Sequence, residues 1–600
     1  MTAPGQLRNF SIIAHIDHGK TTLTDRLLEQ CGQVDLAHPH ERLLDSNPIE
    51  RERGITIKLA PVRLPYTTKA GEEITLNLID TPGHVDFGYE VSRSLAACEG
   101  VLMVVDASQG IQAQTLSTYH KALDLGLTVI PVINKIDLPS AETDRVLLEV
   151  MELCNIPESD ILLVSAKSGI GIDLLLEAIV KRIPPPTGDA AAPLRALLIS
   201  SYFDQHQGAL ALVRVVDGVL NKQRLTFLSS PVTFLPLELG TYLPKKTAVP
   251  ELGPGEVGYV VTGLKDVRSL KVGDTLTTVA QRANAVALQG YKEPQPLVFF
   301  ELFPTLTEDY NALLDALQKL SLRDAAITFV STHSPALGSG CRIGCLGLLH
   351  AEIVVERLHR EFDLELIATR PTVPYNAVLK DGTEKVISTI TEFPDPTQLE
   401  QISEPVTKLT LITPVAYMSG ILDLVRERRG QFMQSEHLID RVILTCSLPL
   451  SELITDFHDL IKSISSGYCS VEYEVIGEVV VDAVVVTIML NGEDVAPLGF
   501  IALRSQAESK ARSLVKQLKE ILPRQLFSIP IQAAIGGTVI ARETQSALRK
   551  DVTAKLYGGD VTRRKKLLSK QAKGKKRMKQ FGSVSLDQDV FLQLMRQPLV

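Results

Sequence analysis

Short apolar runs alternate with helix-like patterns over the first 185 residues of the chain. Each run is rich in Val, Ile and Leu and ends in polar or glycine-containing residues, and most runs precede a segment of helical periodicity. Continuous apolar strands are typical of a mostly parallel sheet that helices cover on both faces. The pattern therefore predicts a doubly wound α/β domain over residues 1–185. The proline-rich segment IPPPTGDAAAP follows as a linker, since consecutive prolines cannot continue a helix.

The pattern changes several times in the rest of the chain. Residues 190–285 contain short Val-rich segments between Gly or Asp turns, which predict a small antiparallel β-barrel. Residues 294–372 follow the order β-α-β-β-α-β, and residues 404–484 follow it too if a strand lies near His437, so both predict ferredoxin-like α+β domains. Residues 485–600 hold one clear helix and a basic tail, but their pattern does not define a fold. We therefore predict a multidomain protein of five domains.

The composition narrows the class of protein. The 600 residues are 45% hydrophobic and 22% charged, which is typical of a globular chain and excludes a largely disordered or fibrous one. No run of 18 apolar residues occurs and the N-terminus has no apolar signal core, so we expect a cytoplasmic protein. Seven scattered cysteines without CxxC spacing agree with a reducing compartment. Cys341 and Cys345 lie four residues apart without further ligand-spaced residues, which favours buried positions over a metal or redox site.

The segment AHIDHGKT, from Ala14 to Thr21, follows the first predicted strand and precedes a helix. It fits the phosphate-loop pattern GxxxxGK[ST], with Ala14 in place of the first glycine. Backbone N–H groups at the start of the helix can surround the β- and γ-phosphates, Lys20 can supply a mobile positive charge, and the Thr21 hydroxyl can face Mg²⁺. The phosphate-binding residues predicted here are Asp17, His18, Gly19, Lys20, Thr21 and Thr22.

Later motifs complete a nucleotide site. In LNLIDTPGH, Asp80 ends a strand and can hold Mg²⁺ through water, while Gly83 can donate its N–H to the γ-phosphate. After another strand, Asp137 of NKID can accept hydrogen bonds from N1–H and N2–H₂ of guanine, a donor pair that adenine lacks. The order of these motifs, each behind an apolar strand, predicts a GTP/GDP site. Its base-binding residues are Asn134, Lys135, Ile136 and Asp137 together with Ser165, Ala166 and Lys167 of SAK.

Further residues indicate hydrolysis. Thr56 in ERERGITI is placed to bind Mg²⁺ through its hydroxyl in the GTP state and to be released when the γ-phosphate is lost. His84, directly after DTPG, stands where other GTPases carry the residue that orients the attacking water, so it is the predicted catalytic residue. Ile16 and Ile55 are either the apolar walls of a gate that holds His84 away from the water or plain packing residues. No arginine finger is evident in the sequence, so we expect slow hydrolysis by the protein alone.

These motifs together resemble the GTPase domain of the translational GTPases, and further segments resemble the LepA family, also called elongation factor 4. The LepA-like segments occur through essentially the whole chain and include LDSNPIERERGITIK, GLLHAEIVVERLHREFDLELIATRPTVPY, PIQAAIGGTVIARE and VTAKLYGGDVTRRKKLLSKQAKGKKRMKQFG. The resemblance implies a ribosome-dependent GTPase that binds elongating ribosomes, promotes back-translocation or remodelling of tRNA–ribosome complexes and leaves after GTP hydrolysis. The implied partners are Mg²⁺, ribosomal RNA, ribosomal proteins and tRNA. The resemblance also implies a LepA-type C-terminal domain, a monomer off the ribosome, and some peripheral association with the cytoplasmic face of the inner membrane.

The C-terminal tail is strongly basic although the chain carries a net charge of −8. Between Arg549 and Gln580 there are 13 Lys and Arg residues against two Asp. Such a run is either a solvated or disordered arm or a segment that follows a phosphate backbone, and we favour the second. It lacks interleaved aromatic residues for base stacking and a wide apolar face for insertion into lipid. The residues predicted to contact RNA are Arg563, Arg564, Lys565, Lys566, Lys575, Lys576, Arg577 and Lys579.

Three alternative functions remain open at the level of sequence. A translocase of the elongation-factor-G type would need an extra domain between the two ferredoxin-like blocks, and residues 372–404 are too few for one. A GTPase acting in ribosomal-subunit assembly would carry the same nucleotide motifs. A membrane-surface module driven by the basic tail is the weakest of the three.

Overall fold

The computed structural model describes residues 2–32, 49, 52, 60–81, 88–204, 207–243, 245–265, 270–288, 296–324, 326–334, 338–369, 371–387, 390–439, 441–495, 498–522, 524–525, 527–548, 561–562 and 565–571. These residues form five β-sheets with their helices. The predicted fold class, a multidomain protein of α/β and β units, is confirmed.

The N-terminal α/β domain contains a six-stranded sheet in the order β2-β3-β1-β4-β5-β6. All neighbours are parallel except the edge strand β2, which runs antiparallel to β3. The strands are β1 (Leu7–Ala14), β2 (Ala60–Thr67), β3 (Glu73–Asp80), β4 (Gly100–Asp106), β5 (Thr128–Asn134) and β6 (Leu162–Leu163). The helices are α1 (Lys20–Gln30), α2 (Gly88–Ala96), α3 (Ala113–Asp124), α4 (Thr143–Cys154) and α5 (Ile172–Arg182).

Both faces of this sheet are buried, which explains its continuous apolar strands. Along β1, Ile12 packs in a cluster with α1 and α5, whereas its neighbour Ile13 packs in a second cluster with α2, α3 and α4. Successive side chains of a strand point to opposite faces, so a strand covered on both sides needs apolar residues at every position. Most strand positions are therefore apolar, and the polar residues inside β1, Asn9 and Ser11, are buried and hydrogen-bonded to β3.

The next sheet has eight strands in the order β10-β9-β14-β7-β8-β13-β11-β12, and all its pairings are antiparallel. It corresponds to the predicted barrel and packs against the N-terminal α/β domain, where Tyr259 and Leu210 meet Ile79 and Cys98. Its strands are β7 (Arg195–Asp204), β8 (Gly208–Asp217), β9 (Leu225–Phe227), β10 (Thr233–Phe234), β11 (Glu238–Leu243), β12 (Lys245–Ala248), β13 (Val257–Val261) and β14 (Thr275–Thr278).

The first α+β domain is a four-stranded antiparallel sheet in the order β16-β17-β15-β18 with two helices. If the four strands are numbered in chain order within this domain, their order in the sheet is 2-3-1-4, which is the ferredoxin-like arrangement. Cys341 and Cys345 both lie in the buried core on β17, which confirms them as buried positions. The elements are β15 (Val298–Pro304), α6 (Tyr310–Arg323), β16 (Thr328–Ser334), β17 (Gly338–Cys345), α7 (Leu348–Phe362) and β18 (Leu366–Ala368).

The second α+β domain repeats this order with β21, β22, β23 and β24, and β22 is the strand that the sequence required near His437. It also differs from the sequence prediction, because the hairpin β19–β20 lies before residue 404 and joins the sheet through the early part of the long strand β21. The strands are β19 (Tyr375–Leu379), β20 (Glu384–Ile387), β21 (Leu399–Pro414), β22 (Gln431–Leu438), β23 (Arg441–Pro449) and β24 (Ser470–Val480). The helices are α8 (Met418–Glu427), α9 (Leu450–Glu452), a π-helical turn (Leu453–Phe457) and α10 (His458–Ile464).

The C-terminal unit has a fold that the sequence pattern left undefined. Its sheet has the order β26-β25-β28-β29, with β27 paired to β25, and the long helix packs against it. Phe303 and Ile367 of the first α+β domain complete its core. The elements are β25 (Ala483–Leu490), β26 (Glu493–Asp494), β27 (Phe500–Leu503), α11 (Arg504–Ile521), β28 (Ile529–Ile535) and β29 (Thr538–Gln545). The predicted boundary between residues 484 and 485 falls inside β25, and the division into five domains stays a prediction.

None of the helices in the described ranges is long and apolar enough to cross a membrane.

A cluster of charged side chains with buried carboxylates stabilises the second α+β domain. The same cluster joins this domain to α11. Arg429 donates from Nε to Glu452 Oε1 at 2.9 Å and from a terminal nitrogen to Glu404 Oε1 at 2.5 Å. Both carboxylates are buried, and Gln506 of α11 donates to the same Glu452 oxygen at 3.3 Å. Buried carboxylates need a paired cation. Glu452 is also paired with Arg428 at 3.6 Å, whereas Glu404 is paired with Arg429.

We expect Arg429→Ala to lower the free energy of unfolding by about 3 kcal/mol, because it leaves Glu404 buried and without its cation. The matched control is Arg426→Ala on α8, whose side chain is 70% exposed and pairs only with Asp423 among the described residues. Surface pairs of that kind contribute less than about 1 kcal/mol. Urea unfolding of both variants measures the difference, and equal losses would contradict the role of the cluster.

Candidate nucleotide-binding site

The loop between β1 and α1 is held against the end of β5. Gly19, the N-cap residue of α1, has a φ of 92°, a conformation that residues with a Cβ rarely adopt. A Cβ at this position would lie 2.5 Å from Asn134 Nδ2. Glycine is therefore needed both for the turn and for the close approach of the two loops. The first backbone N–H groups of α1 remain outside the helical ladder and suit an anion.

Lys20 and Asp80 meet at the carboxyl end of the sheet. Lys20 Nζ lies 3.1 Å from Asp80 Oδ1 and also donates to the carbonyl of Thr81. Asp80 is 1% exposed, and its Oδ2 has no hydrogen-bond partner among the described residues. A buried carboxylate oxygen without a donor, beside the phosphate-loop lysine, fits a hydrated Mg²⁺ ion, which prefers oxygen ligands and keeps several waters.

Asn134, the last residue of β5, joins three loops. Its Nδ2 donates to the carbonyl of His18 at 3.0 Å, and its Oδ1 accepts the N–H of Ala166 at 3.0 Å. The side chain is almost fully buried. The phosphate loop, the NKID segment and the SAK segment are thus connected through one amide.

The next residue of NKID forms a second link. Lys135 Nζ pairs with Asp106 Oδ2 at 2.7 Å and donates to the carbonyl of Asp17. Burial opposes ionisation of Asp106, but hydrogen bonds from Lys135 and Ser108 outweigh it and hold the pKa of this carboxyl below its usual value. Asp106 was not among the residues predicted from sequence. Its position at the end of β4 was the available signal, since polar residues at strand ends form the ligand edge of such sheets.

The residues predicted to bind the base differ in their exposure, since Asn134 and Ser165 are buried. Asp137 is exposed, and Ser165 Oγ donates to its Oδ1 at 2.7 Å, which orients the carboxylate. Arg26 of α1 donates to the carbonyls of Ala166 and Lys167 at 3.0 and 2.7 Å. Arg26 therefore anchors the SAK segment, and no motif in the sequence indicated this contact.

His18 differs from the other phosphate-loop residues because its imidazole is fully buried. The backbone N–H of Asp106 donates to His18 Nδ1 at 3.3 Å. Burial, together with the nearby His15, lowers the pKa of His18 to about 3, so the ring is neutral at physiological pH. The His18 side chain therefore contacts protein groups beneath the loop, among them the backbone N–H of Asp106.

The remaining predicted residues are placed as follows. Thr21 and Ile136 are half-buried and Thr22 is exposed. Ile16 packs in an apolar cluster with Ile49 and with Leu349 and Ile353 of α7, and the gate that it would form with Ile55 stays a prediction. Lys565 and Lys566 are exposed on a helical segment over residues 565–571. The predicted residues outside the described ones are Ile55, Thr56, Gly83, His84, Arg563, Arg564, Lys575, Lys576, Arg577 and Lys579.

Comparison with protein families agrees with this geometry. Residues 5–185 match the elongation factor Tu GTP-binding domain, and residues 401–487 match the elongation factor G C-terminus. These matches define the class of protein, which is a translational GTPase. Residues 490–596 match the C-terminus of the GTP-binding protein LepA. The chain belongs to the LepA family of translational GTPases.

A solved structure shows the same fold. The crystal structure of a protein from Thermus thermophilus aligns over 80% of this chain and 97% of its own length, with a TM-score of 0.55 and 18% sequence identity. At this identity the likeness supports the architecture alone.

We expect Gly19→Ala to weaken GTP binding about tenfold or more, because the added Cβ forces a strained backbone and pushes Asn134 away from the loop. Gly5→Ala is the matched control, since nothing lies within 4 Å of a Cβ at that position. Titration with a fluorescent GTP derivative measures both affinities. An unchanged affinity in Gly19→Ala would contradict the close packing of the two loops.

Proposed function

We propose that this protein is a ribosome-dependent GTPase that binds elongating ribosomes and promotes back-translocation or remodelling of tRNA–ribosome complexes. In this role it supports the fidelity and efficiency of protein synthesis. The observation that carries the proposal is that one chain combines guanine-nucleotide loops joined through Asn134 with a LepA-type C-terminus over residues 490–596.

Nucleotide binding follows from the groups at the edge of the sheet. The carboxylate of Asp137 accepts hydrogen bonds from guanine, and Lys20 with the first N–H groups of α1 receives the phosphates. Asp80, Thr21 and Thr56 would hold Mg²⁺, which neutralises phosphate charge when bound. Lys20 and Asp80 are already in contact, so the site holds both a cation for the phosphates and an anion for the metal.

Hydrolysis of GTP would depend on the position of the attacking water. His84 would orient the attacking water once the ribosome has placed it, and no covalent intermediate is needed. Loss of the γ-phosphate would release the segment around Thr56, and the factor then leaves the ribosome.

RNA contact is assigned to the C-terminal unit and its tail. Lys565 and Lys566 are exposed side by side on a helix, where they can reach successive phosphates. Ribosomal RNA and tRNA are the proposed partners of a protein that is monomeric in solution. None of the family matches points to membrane association, and a role in subunit assembly has no separate observation in its favour.

The first test compares GTP turnover with and without ribosomes. Because no sequence motif indicates an arginine finger, we expect slow turnover by the protein alone and an increase of about tenfold or more on ribosomes. In His84→Ala, GTP binding should persist while the stimulated turnover collapses. Normal turnover of His84→Ala on ribosomes would remove this residue from its assigned role, and equal rates with and without ribosomes would overturn the proposal as a whole.

The second test follows the direction of tRNA movement. We expect the protein with GTP to shift the mRNA of post-translocation ribosomes back by one codon, which a toeprinting assay resolves. A variant with Lys565 and Lys566 both changed to Glu should lose this effect, while its GTP affinity stays that of the wild type. A wild-type protein that leaves the toeprint unchanged but alters the profile of free subunits in a deletion strain would favour the assembly role.

A further inference from the structure

We infer that Arg441 and Ser470, both on the second α+β domain, are positioning residues for the nucleotide site of the N-terminal α/β domain. They hold the loop between β4 and α3, and through it they control how fast bound nucleotide is released. The inference rests on the proposed nucleotide site but does not depend on the ribosome.

The two residues lie at one end of their sheet. Arg441 begins β23 and Ser470 begins β24, and both strands pair with the final residues of β21. Arg441 donates to the carbonyl of Ile111 at 3.2 Å, and Ser470 Oγ accepts the N–H of Ala113 at 2.9 Å. Ala113 is the first residue of α3, whose own N-cap residue makes no side-chain cap. A residue of another domain therefore caps this helix.

Apolar contacts surround these hydrogen bonds. Ile412 and Ile443 of the second α+β domain are buried in the same cluster as Ile111 and Ala113. A cavity of about 940 Å³ lies beside them and is bordered by His15, Gln112, Arg441 and Ser470. The loop is also held within its own domain, where Glu149 accepts the N–H of Ile111 at 3.1 Å, so Arg441 and Ser470 add the contacts from the second α+β domain.

The loop between β4 and α3 contacts two segments of the proposed nucleotide site. It begins at Asp106, whose carboxylate binds Lys135 of NKID at 2.7 Å and whose N–H binds His18 of the phosphate loop at 3.3 Å. On the other side of the loop, Gln114 of α3 lies 2.9 Å from Nδ1 of His15, another residue of the phosphate loop. Displacement of α3 and its loop would therefore disturb both the phosphate and the base contacts.

The coupling must be reciprocal. If docking of the second α+β domain raises the equilibrium affinity for the nucleotide, then bound nucleotide strengthens docking of that domain by the same factor. Movement of this domain on a large partner would displace the loop and thereby accelerate exchange of GDP.

The test is the rate of GDP release from the full-length protein, measured with a fluorescent GDP derivative in the absence of ribosomes. We expect Ser470→Ala and Arg441→Met to release GDP about three- to tenfold faster, since each removes a hydrogen bond to the loop. Ser470→Thr keeps the hydroxyl and should restore the wild-type rate. Ser463→Ala and Arg426→Met, which change exposed residues on α10 and α8, are the matched controls.

Melting temperatures separate positioning from general destabilisation. The inference predicts faster release with a melting temperature close to that of the controls, and faster deuterium exchange of the amides of residues 106–114 in the GDP-bound protein. Release rates equal to the controls, or no rescue by threonine, would overturn it. A wild-type protein that binds no guanine nucleotide would instead overturn the proposed function, so the two failures are distinct.

Discussion

The nucleotide site depends on one buried amide, that of Asn134. Its two ends are both bonded, the nitrogen to the carbonyl of His18 and the oxygen to the N–H of Ala166. A buried amide that loses a partner is strongly unfavourable, so the three loops that it joins cannot move independently. Gly19 is equally necessary, because only a residue without a Cβ lets the phosphate loop approach the side chain of Asn134. The relative positions of the phosphate loop, the NKID segment and the SAK segment follow from this contact.

Charged side chains at the same edge of the sheet are paired. Lys20 faces Asp80 and Lys135 faces Asp106, and both carboxylates are almost fully buried. Buried charges are stable only with partners, so each pair fixes the positions of its two side chains. Asp137 differs in being exposed, which leaves its carboxylate accessible to a base.

The domains meet through faces that no single segment reveals. Ile412 and Ile443 of the second α+β domain are buried against the N-terminal α/β domain, and Phe303 and Ile367 of the first are buried in the C-terminal core. Each side chain could serve equally well inside its own domain, so its sequence context indicates burial but not the partner. The hydrogen bond by which Ser470 caps α3 is equally invisible in the local sequence, because Ser470 and Ala113 lie 357 residues apart.

The sequence by itself determined the classes of structure and predicted the residues of a nucleotide site. Strand periodicity predicted the doubly wound sheet and both ferredoxin-like units, and short motifs predicted roles for Lys20, Asp80 and Asn134, because these signals are local. Tertiary structure alone decided the hairpin added to β21, the C-terminal sheet, the burial of the His18 ring and the contacts of Asp106 and Arg26. These depend on groups distant along the chain that meet only after folding, and no local pattern records which groups will meet.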